Sequence, residues 1–509
     1  MTDEGKHGQE PDPKSGKEGE DGEERGWAGR VTIDPTEGVA YVPRQVITSD
    51  IERALDIARK LYPRAPLEPE RLALMDGRFF RIAGVPDVPR LVRQLRSFGV
   101  QAQPNHVFFA HCTTACCCGP HPAVRGGCGG GPGASPVYAS PVYASPVYAS
   151  PVYASPVYAS PVYASPVYAS PVYASPVYAS PVYASPVYAS PVYASPVYAS
   201  QYLATGRRRS SAVPVTAEDA ATVADLLGKI SGQPSAQPDV IVLDTGLATA
   251  PTLIPHALEQ IQAFVVPGGS AAAAAEVPDS VPADNLLDPA AGHGTFIAGL
   301  VEQVAPGAKV EVWHVLEPEG DGNEVDIATR IDALPARTAP GDRGCVLNLS
   351  FGGYVMEHGE VLASAIREAQ ARGYVVVSSA GNDGVCTPTI PASLPDVVGV
   401  GAIGPDGPAL FSNYGPWVRA CAPGVDVVST FFRQFLGAET PATPLDPDPD
   451  DFEDWARWSG TSFSAPIVAG ALAQHARVHQ VSMAEAVTQV IDNPLLLRIA
   501  DLGTVVNVL

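Results

Sequence analysis

Residues 136–200 repeat the pentapeptide Pro-Val-Tyr-Ala-Ser thirteen times without a substitution. Proline at every fifth position removes a backbone donor and clashes with the preceding turn, so no continuous helix can run through this stretch. A central sheet strand is excluded for the same reason. No side chain in the repeat works as an acid, base or nucleophile without help from elsewhere. The array reads as an extended, polyproline-like tether, about 200 Å long if fully stretched at about 3.1 Å per residue. It splits the chain in two, and function has to be sought on either side.

The 509 residues exceed one typical domain, and an apolar content of 46% is enough to bury a sizeable core. A net charge of −22 argues against a nucleic-acid binder and against attraction to anionic membranes. Residues 1–29 are charged and rich in glycine, with no apolar stretch, and read as a disordered acidic arm, not a secretory signal. With no apolar run of about 18 residues, a membrane span is not expected. The expected location is the cytoplasm. Cys345, Cys386 and Cys421 stand singly in apolar surroundings, as buried free thiols would.

Residues 30–110 alternate strand and helix signals. Strands are expected at 40–47, 77–84 and 100–111. Helices are expected after the capping candidates Thr48, Ser49 and Asp50, with Ile51, Leu55, Ala58 and Tyr62 on one face, and over 85–99, with Leu91, Leu95 and Phe98 on one face. A run of this size implies a small α+β domain with helices on one face of the sheet. Residues 111–135 are rich in cysteine and glycine, the repeat fills 136–200, and a connector with one helix spans 201–237.

From 238 to 509 short apolar runs alternate with helical stretches, which implies an α/β fold built on a mostly parallel sheet with helices on both faces. Three motifs stand out: VIVLDTG ends a strand at Asp244, GHGTFIAGLV places His293 where a glycine-flanked turn enters a helix, and SGTSFSAPIVAG places Ser462 at another helix start. Each has a plain structural explanation alone, as a turn former, a cap and an N-cap. Together, in the chain order Asp, His, Ser, they form the set that activates a serine hydroxyl, with the imidazole as base and the carboxylate fixing its tautomer.

With SSAGNDG, LNLSFGG and FSNYGPWVRACAPGVDVVST also in order, residues 238–509 resemble the subtilisin-like serine peptidases. The resemblance implies catalytic Asp244, His293 and Ser462, an oxyanion donor at Asn382, and pairing of Leu349, Ser350, Phe351, Gly352 and Gly353 with an extended peptide substrate. It implies hydrolysis of internal peptide bonds through an acyl-enzyme. No cofactor is needed for that chemistry, and a structural calcium ion has no assignable ligand set. Ser464 is a second hydroxyl near the nucleophile. The acidic stretch before Trp455 is longer than expected and admits three readings: a bias of the cleft toward basic peptides, a cation site, or a solvated loop.

The same resemblance casts residues 30–110 as a propeptide-type inhibitor domain whose last strand enters the cleft, with self-cleavage between residues 105 and 240. An unrelated α+β binding domain stays open as an alternative. His111, Cys112, Cys116, Cys117, Cys118, His121 and Cys128 admit three readings: a metal site, a thiol switch, or an exposed processing segment. The rival functions are a permanently blocked fold serving as a scaffold, and a maturation peptidase dedicated to one peptide partner.

Overall fold

In the computed structural model, which describes residues 30–34, 39–111, 212–215, 217–269, 276–278, 287–355, 359–436 and 451–507, the amino-terminal part is a sheet backed by two helices. The acidic arm, the pentapeptide array, the cysteine cluster after His111 and most of the acidic stretch before Trp455 lie outside the described residues.

Strand β1 (Ala40–Thr48) lies between β3 (Phe80–Ala83) and β4 (Ala102–Ala110), and β2 (Glu68–Arg71) pairs with β3. All these pairings are antiparallel. Helix α1 (Ile51–Leu61) starts where the Asp50 carboxylate accepts the Arg53 amide at 3.2 Å. Helix α2 (Val88–Ser97) starts the same way at Asp87, which accepts the Arg90 amide at 2.9 Å. Such caps satisfy donors that the helix itself cannot.

Ala54, Ala58, Leu91, Val92 and Leu95 form one buried cluster with Val46 and Ile82, while Ile51, Leu55 and Tyr62 sit at its margin. Phe98 departs from expectation. It is the residue capping α2 at Ser97, where the chain turns, and 56% of its surface is exposed.

The carboxyl-terminal part is organised by a ten-stranded sheet. Its long path runs, edge to edge, through β14 (Arg498–Ile499), β15 (Gly503–Val505), β13 (Val418–Pro423), β12 (Val398–Gly404), β11 (Tyr374–Ser379), β9 (Cys345–Leu349), β5 (Val240–Asp244), β7 (Val310–His314) and β6 (Val265–Pro267). Apart from β14 on β15, neighbours on this path run parallel. Every residue of β5 and β9 is buried, so the sheet is covered on both faces, as continuous apolar strands require.

Helices α3 (His293–Val304) and α6 (Thr461–His479) pack on each other and on the sheet. Helices α4 (Glu324–Asp332) and α5 (Glu360–Ala371) pack together, with α5 against β11. Ala212 and Leu227, from the expected connector, belong to this same core.

The two parts share strand β4. On one side it pairs antiparallel with β8 (Asp321–Asn323), and on the other with β10 (Phe351–Gly352). Buried polar groups accompany the pairing. His106 Nδ1 lies 2.6 Å from Glu324 Oε2, and Gln103 donates to the same oxygen at 2.7 Å. The other Glu324 oxygen accepts the Leu362 amide at 2.9 Å, and Asn105 accepts the Val325 amide at 3.3 Å.

One expectation about cysteine is corrected. Cys345 and Cys421 are buried free thiols inside strands, but Cys386 is disulfide-bonded. Cys386 lies in the loop after β11 and is only half-buried, so packing does not isolate it as it isolates the other two.

Candidate active site

Asp244 is the last residue of β5 and is fully buried. Its Oδ1 accepts the Thr245 amide at 2.8 Å and faces His293 Nδ1 at 2.7 Å. His293 opens α3 behind Gly292, whose φ of 82° is in the left-handed region. A Cβ at Gly292 would fall 2.2 Å from the Phe431 ring, so glycine is required there on both counts. The carboxylate thus fixes which imidazole nitrogen faces inward and leaves Nε2 facing away. Trp458 meets the His293 ring edge-on at 5.5 Å and Phe463 packs against it at 5.3 Å, which excludes water from its flanks.

Ser462 is the second residue of α6. Its hydroxyl donates to the Ser350 carbonyl at 2.8 Å, and among the described residues His293 Nε2 has no partner. The serine–histidine hydrogen bond that the motif order implies is therefore not made in this conformation. Ser464 lies elsewhere, donating to the Ala422 carbonyl at 3.0 Å.

Asn382 has one end tied down. Its Oδ1 accepts both the backbone amide and the hydroxyl of Thr461 at 2.9 Å. That leaves Nδ2 to donate to the carbonyl oxygen of His111 at 2.5 Å. The Ser462 backbone amide, at the amino end of α6, donates to the same oxygen at 3.2 Å. One peptide carbonyl thus sits between two donors beside the candidate nucleophile.

That carbonyl ends a strand lying across the cleft. His111 donates its amide to the Ser350 carbonyl at 3.2 Å, Ala110 is opposite Phe351, and Phe109 is opposite Gly352. On the other edge Phe109, Phe108 and Val107 are opposite Asp321, Gly322 and Asn323. Of the five expected substrate-pairing residues, Ser350, Phe351 and Gly352 line this strand. Gly353 lies close to Phe108, where a Cβ would come within 3.2 Å, and its own amide bonds to Ile390. Leu349 does not take part. It is held in the main sheet between Leu243 and Ser378.

His111 was grouped by sequence with the cysteines that follow it, but its ring is buried in the cleft, with Nδ1 2.7 Å from the Ser379 hydroxyl. A Cβ at Gly352 would lie 2.5 Å from His111 Cε1, so the absence of a side chain there makes room for the ring. Burial pushes the His111 imidazole down to about 4, against the opposing charge of Asp383. Three residues earlier, Phe108 is fully buried, with its ring 6.5 Å from that of Phe351.

Sequence reasoning did not find Thr245, Thr295 and Glu276, which sit behind the Asp244–His293 pair. Both threonine hydroxyls donate to the buried Glu276 carboxyl group. Glu276 follows a run of alanines and carries no motif, so only the tertiary fold brings it to the site.

Comparison with known proteins adds the following. The model of the Subtilase family matches residues 236–494. The Thermophilic serine proteinase of Bacillus sp. (strain AK1) is 34% identical over 225 residues, which cover 41% of this chain and 49% of that protein. Subtilisin Savinase of Lederbergia lenta is 30% identical over 245 residues, 46% of this chain and 74% of that protein. The crystal structure of a cold adapted subtilisin-like serine proteinase aligns at 23% identity, covering 56% of this chain and 97% of that one, with a TM-score of 0.38. The chain spans about half the length of the Bacillus protein it matches.

Proposed function

The chain belongs to the subtilase family, and from that premise we propose that it is a serine endopeptidase whose amino-terminal domain fills its own cleft and is cut after His111. The observation that carries this reading is the His111 carbonyl, held by Asn382 Nδ2 and the Ser462 amide beside the Ser462 side chain.

In the proposed reaction the Ser462 hydroxyl turns from the Ser350 carbonyl to His293 Nε2. It gives up its proton there as Oγ bonds to the His111 carbonyl carbon. The charge that develops on the oxygen is met by Asn382 and by the positive end of α6. Asp244 stabilises the imidazolium. His293 then returns the proton to the Cys112 nitrogen as the peptide bond breaks, and water, deprotonated by His293, releases the acyl group from Ser462. The new carboxyl-terminal tail inhibits by staying in the cleft as product. Substrates bound in trans follow the same pattern: an extended segment with an aromatic at the Phe108 place, a small residue at the Ala110 place and a neutral planar ring at the His111 place.

A second reading, the blocked scaffold, is favoured by one observation, the Ser462 hydroxyl facing Ser350 and not His293. A fluorophosphonate probe separates the two. The endopeptidase reading expects the label on Ser462 once the cleaved tail has been exchanged out of the cleft, and its loss in both Ser462→Ala and His293→Ala. A folded wild-type chain that stays uncut, takes no label and does not hydrolyse a peptide carrying Phe-Phe-Ala-His supports the scaffold.

A further inference from the structure

Two segments that have to stay in register for the proposed chemistry meet behind the site. Residues 244–248 leave β5 with Asp244 at their head, and residues 292–295 enter α3 with His293. They touch directly at Gly294, where a Cβ would fall 2.2 Å from the Gly246 carbonyl oxygen. That contact sets how closely the segments approach. It does not fix how far one slides along the other.

Glu276 does. It is buried at 4% exposure and its amide donates to the Leu247 carbonyl at 3.1 Å. One carboxyl oxygen takes the hydroxyl of Thr245, the residue after Asp244. The other takes the hydroxyl of Thr295, two residues after His293. Each hydroxyl also accepts an amide from the opposite segment: Gly294 to Thr245 at 3.0 Å, and Ala248 to Thr295 at 2.8 Å. The cross-links are reciprocal, and one carboxyl group closes both. Thr245 in turn donates its amide to Asp244 Oδ1, the oxygen that His293 Nδ1 faces.

We propose that Glu276 is a positioning residue for the peptidase reaction, clamping the Asp244 and His293 segments in register through Thr245 and Thr295. The inference rests on the endopeptidase reading above. It adds an electrostatic consequence. Burial pushes the Glu276 carboxyl up to about 7, with the two threonine hydroxyls opposing and the charge of Asp244 adding to the rise. Among the described residues the charge acting on it is that of Asp244, with His293 bonded to that same carboxylate. Ionised Glu276 accepts from both threonine hydroxyls at once, so the clamp closes as pH rises through about 7.

The test is the first-order rate of self-cleavage of the full chain, followed by intact mass from about pH 5 to about pH 9. Misplacement of a catalytic pair costs up to about 100-fold, so Glu276→Gln is expected to cut about 10- to 100-fold more slowly. It also loses the rise in rate that the wild type shows as Glu276 ionises at about pH 7. Glu276→Asp keeps an ionisable carboxyl group but is too short to reach both threonines, so it slows the reaction too. A wild-type rate with a wild-type pH profile in Glu276→Gln overturns the proposal. So does a loss that only matches the unfolded fraction seen by circular dichroism.

If Glu276→Gln does not fold, Thr295→Val against Thr295→Ser decides. A rate retained by serine and lost by valine supports the clamp, and equal rates overturn it. Ser462→Ala is the control. A Ser462→Ala chain that still cuts itself overturns the endopeptidase reading and the clamp together, whereas an inert Ser462→Ala beside an unaffected Glu276→Gln removes the clamp alone.

Discussion

The carbonyl oxygen of His111 lies 2.5 Å from the side-chain nitrogen of Asn382, two residues 271 positions apart in the chain. Because Thr461 holds the other end of that amide at 2.9 Å through two bonds, the donor is fixed before any charge develops. A preorganised donor needs no reorientation during reaction, which is where its catalytic value lies.

Asn382→Asp keeps the size of the side chain and replaces the donor by a carboxylate facing the carbonyl. Peptide hydrolysis is expected to fall about 100- to 1,000-fold in kcat, the loss found when such a donor is removed from a subtilisin. KM is expected to change little. Steady-state kinetics on a Phe-Phe-Ala-His substrate measures both.

Phe108 is fully buried against Phe351, and truncating a core phenylalanine costs roughly 3–5 kcal/mol. Phe108→Ala is expected to weaken docking of the tail while the two sheets stay folded. Amide hydrogen exchange over residues 107–110 should then rise well above wild type, and exchange within Cys345–Leu349 should not.

Docking also depends on pH. The His111 imidazole is pushed down by burial from its usual 6.5 to about 4, so the docked form prefers the neutral ring. A group depressed in this way contributes its full share above the free value. Docking is therefore strongest above about pH 6.5, weakens as pH falls toward about 4, and levels off below, with a total loss of about 3 kcal/mol. His111→Gln removes this component. The difference between wild type and variant in exchange at residues 107–110, read across that range, gives its size and sign.

Ser379 meets the His111 ring at 2.7 Å. A net hydrogen bond contributes about 0.5–1.5 kcal/mol, so Ser379→Ala is expected to lower kcat/KM for a histidine substrate by roughly 2- to 10-fold. A phenylalanine substrate, which makes no such bond, should be unaffected. Competition between the two peptides reads the selectivity directly.

The residues legible in the sequence were those whose chemistry is tied to a local backbone requirement. Gly292 before His293 announces the tight helix entry, and a run of buried residues ending in Asp244 announces a strand inside a parallel sheet. What escaped notice depends on long-range pairing. The exposed strand Glu68–Arg71 has no apolar alternation to betray it. The last tail residue in the cleft was not identifiable, since nothing local distinguishes His111 from the cysteines after it. The Ser462 hydroxyl orientation is set by the Ser350 carbonyl, 112 positions away. The half-buried loop around Cys386 likewise takes its character from tertiary placement.

The most direct test is the position at which the chain cuts itself. Purified wild-type protein and Ser462→Ala, reduced and weighed intact, are compared after incubation at neutral pH. The account predicts that wild type separates into residues 1–111 and 112–509 while Ser462→Ala keeps a single full-length mass. A folded wild type that stays whole, a cut at another bond, or the same cut in both proteins would contradict it.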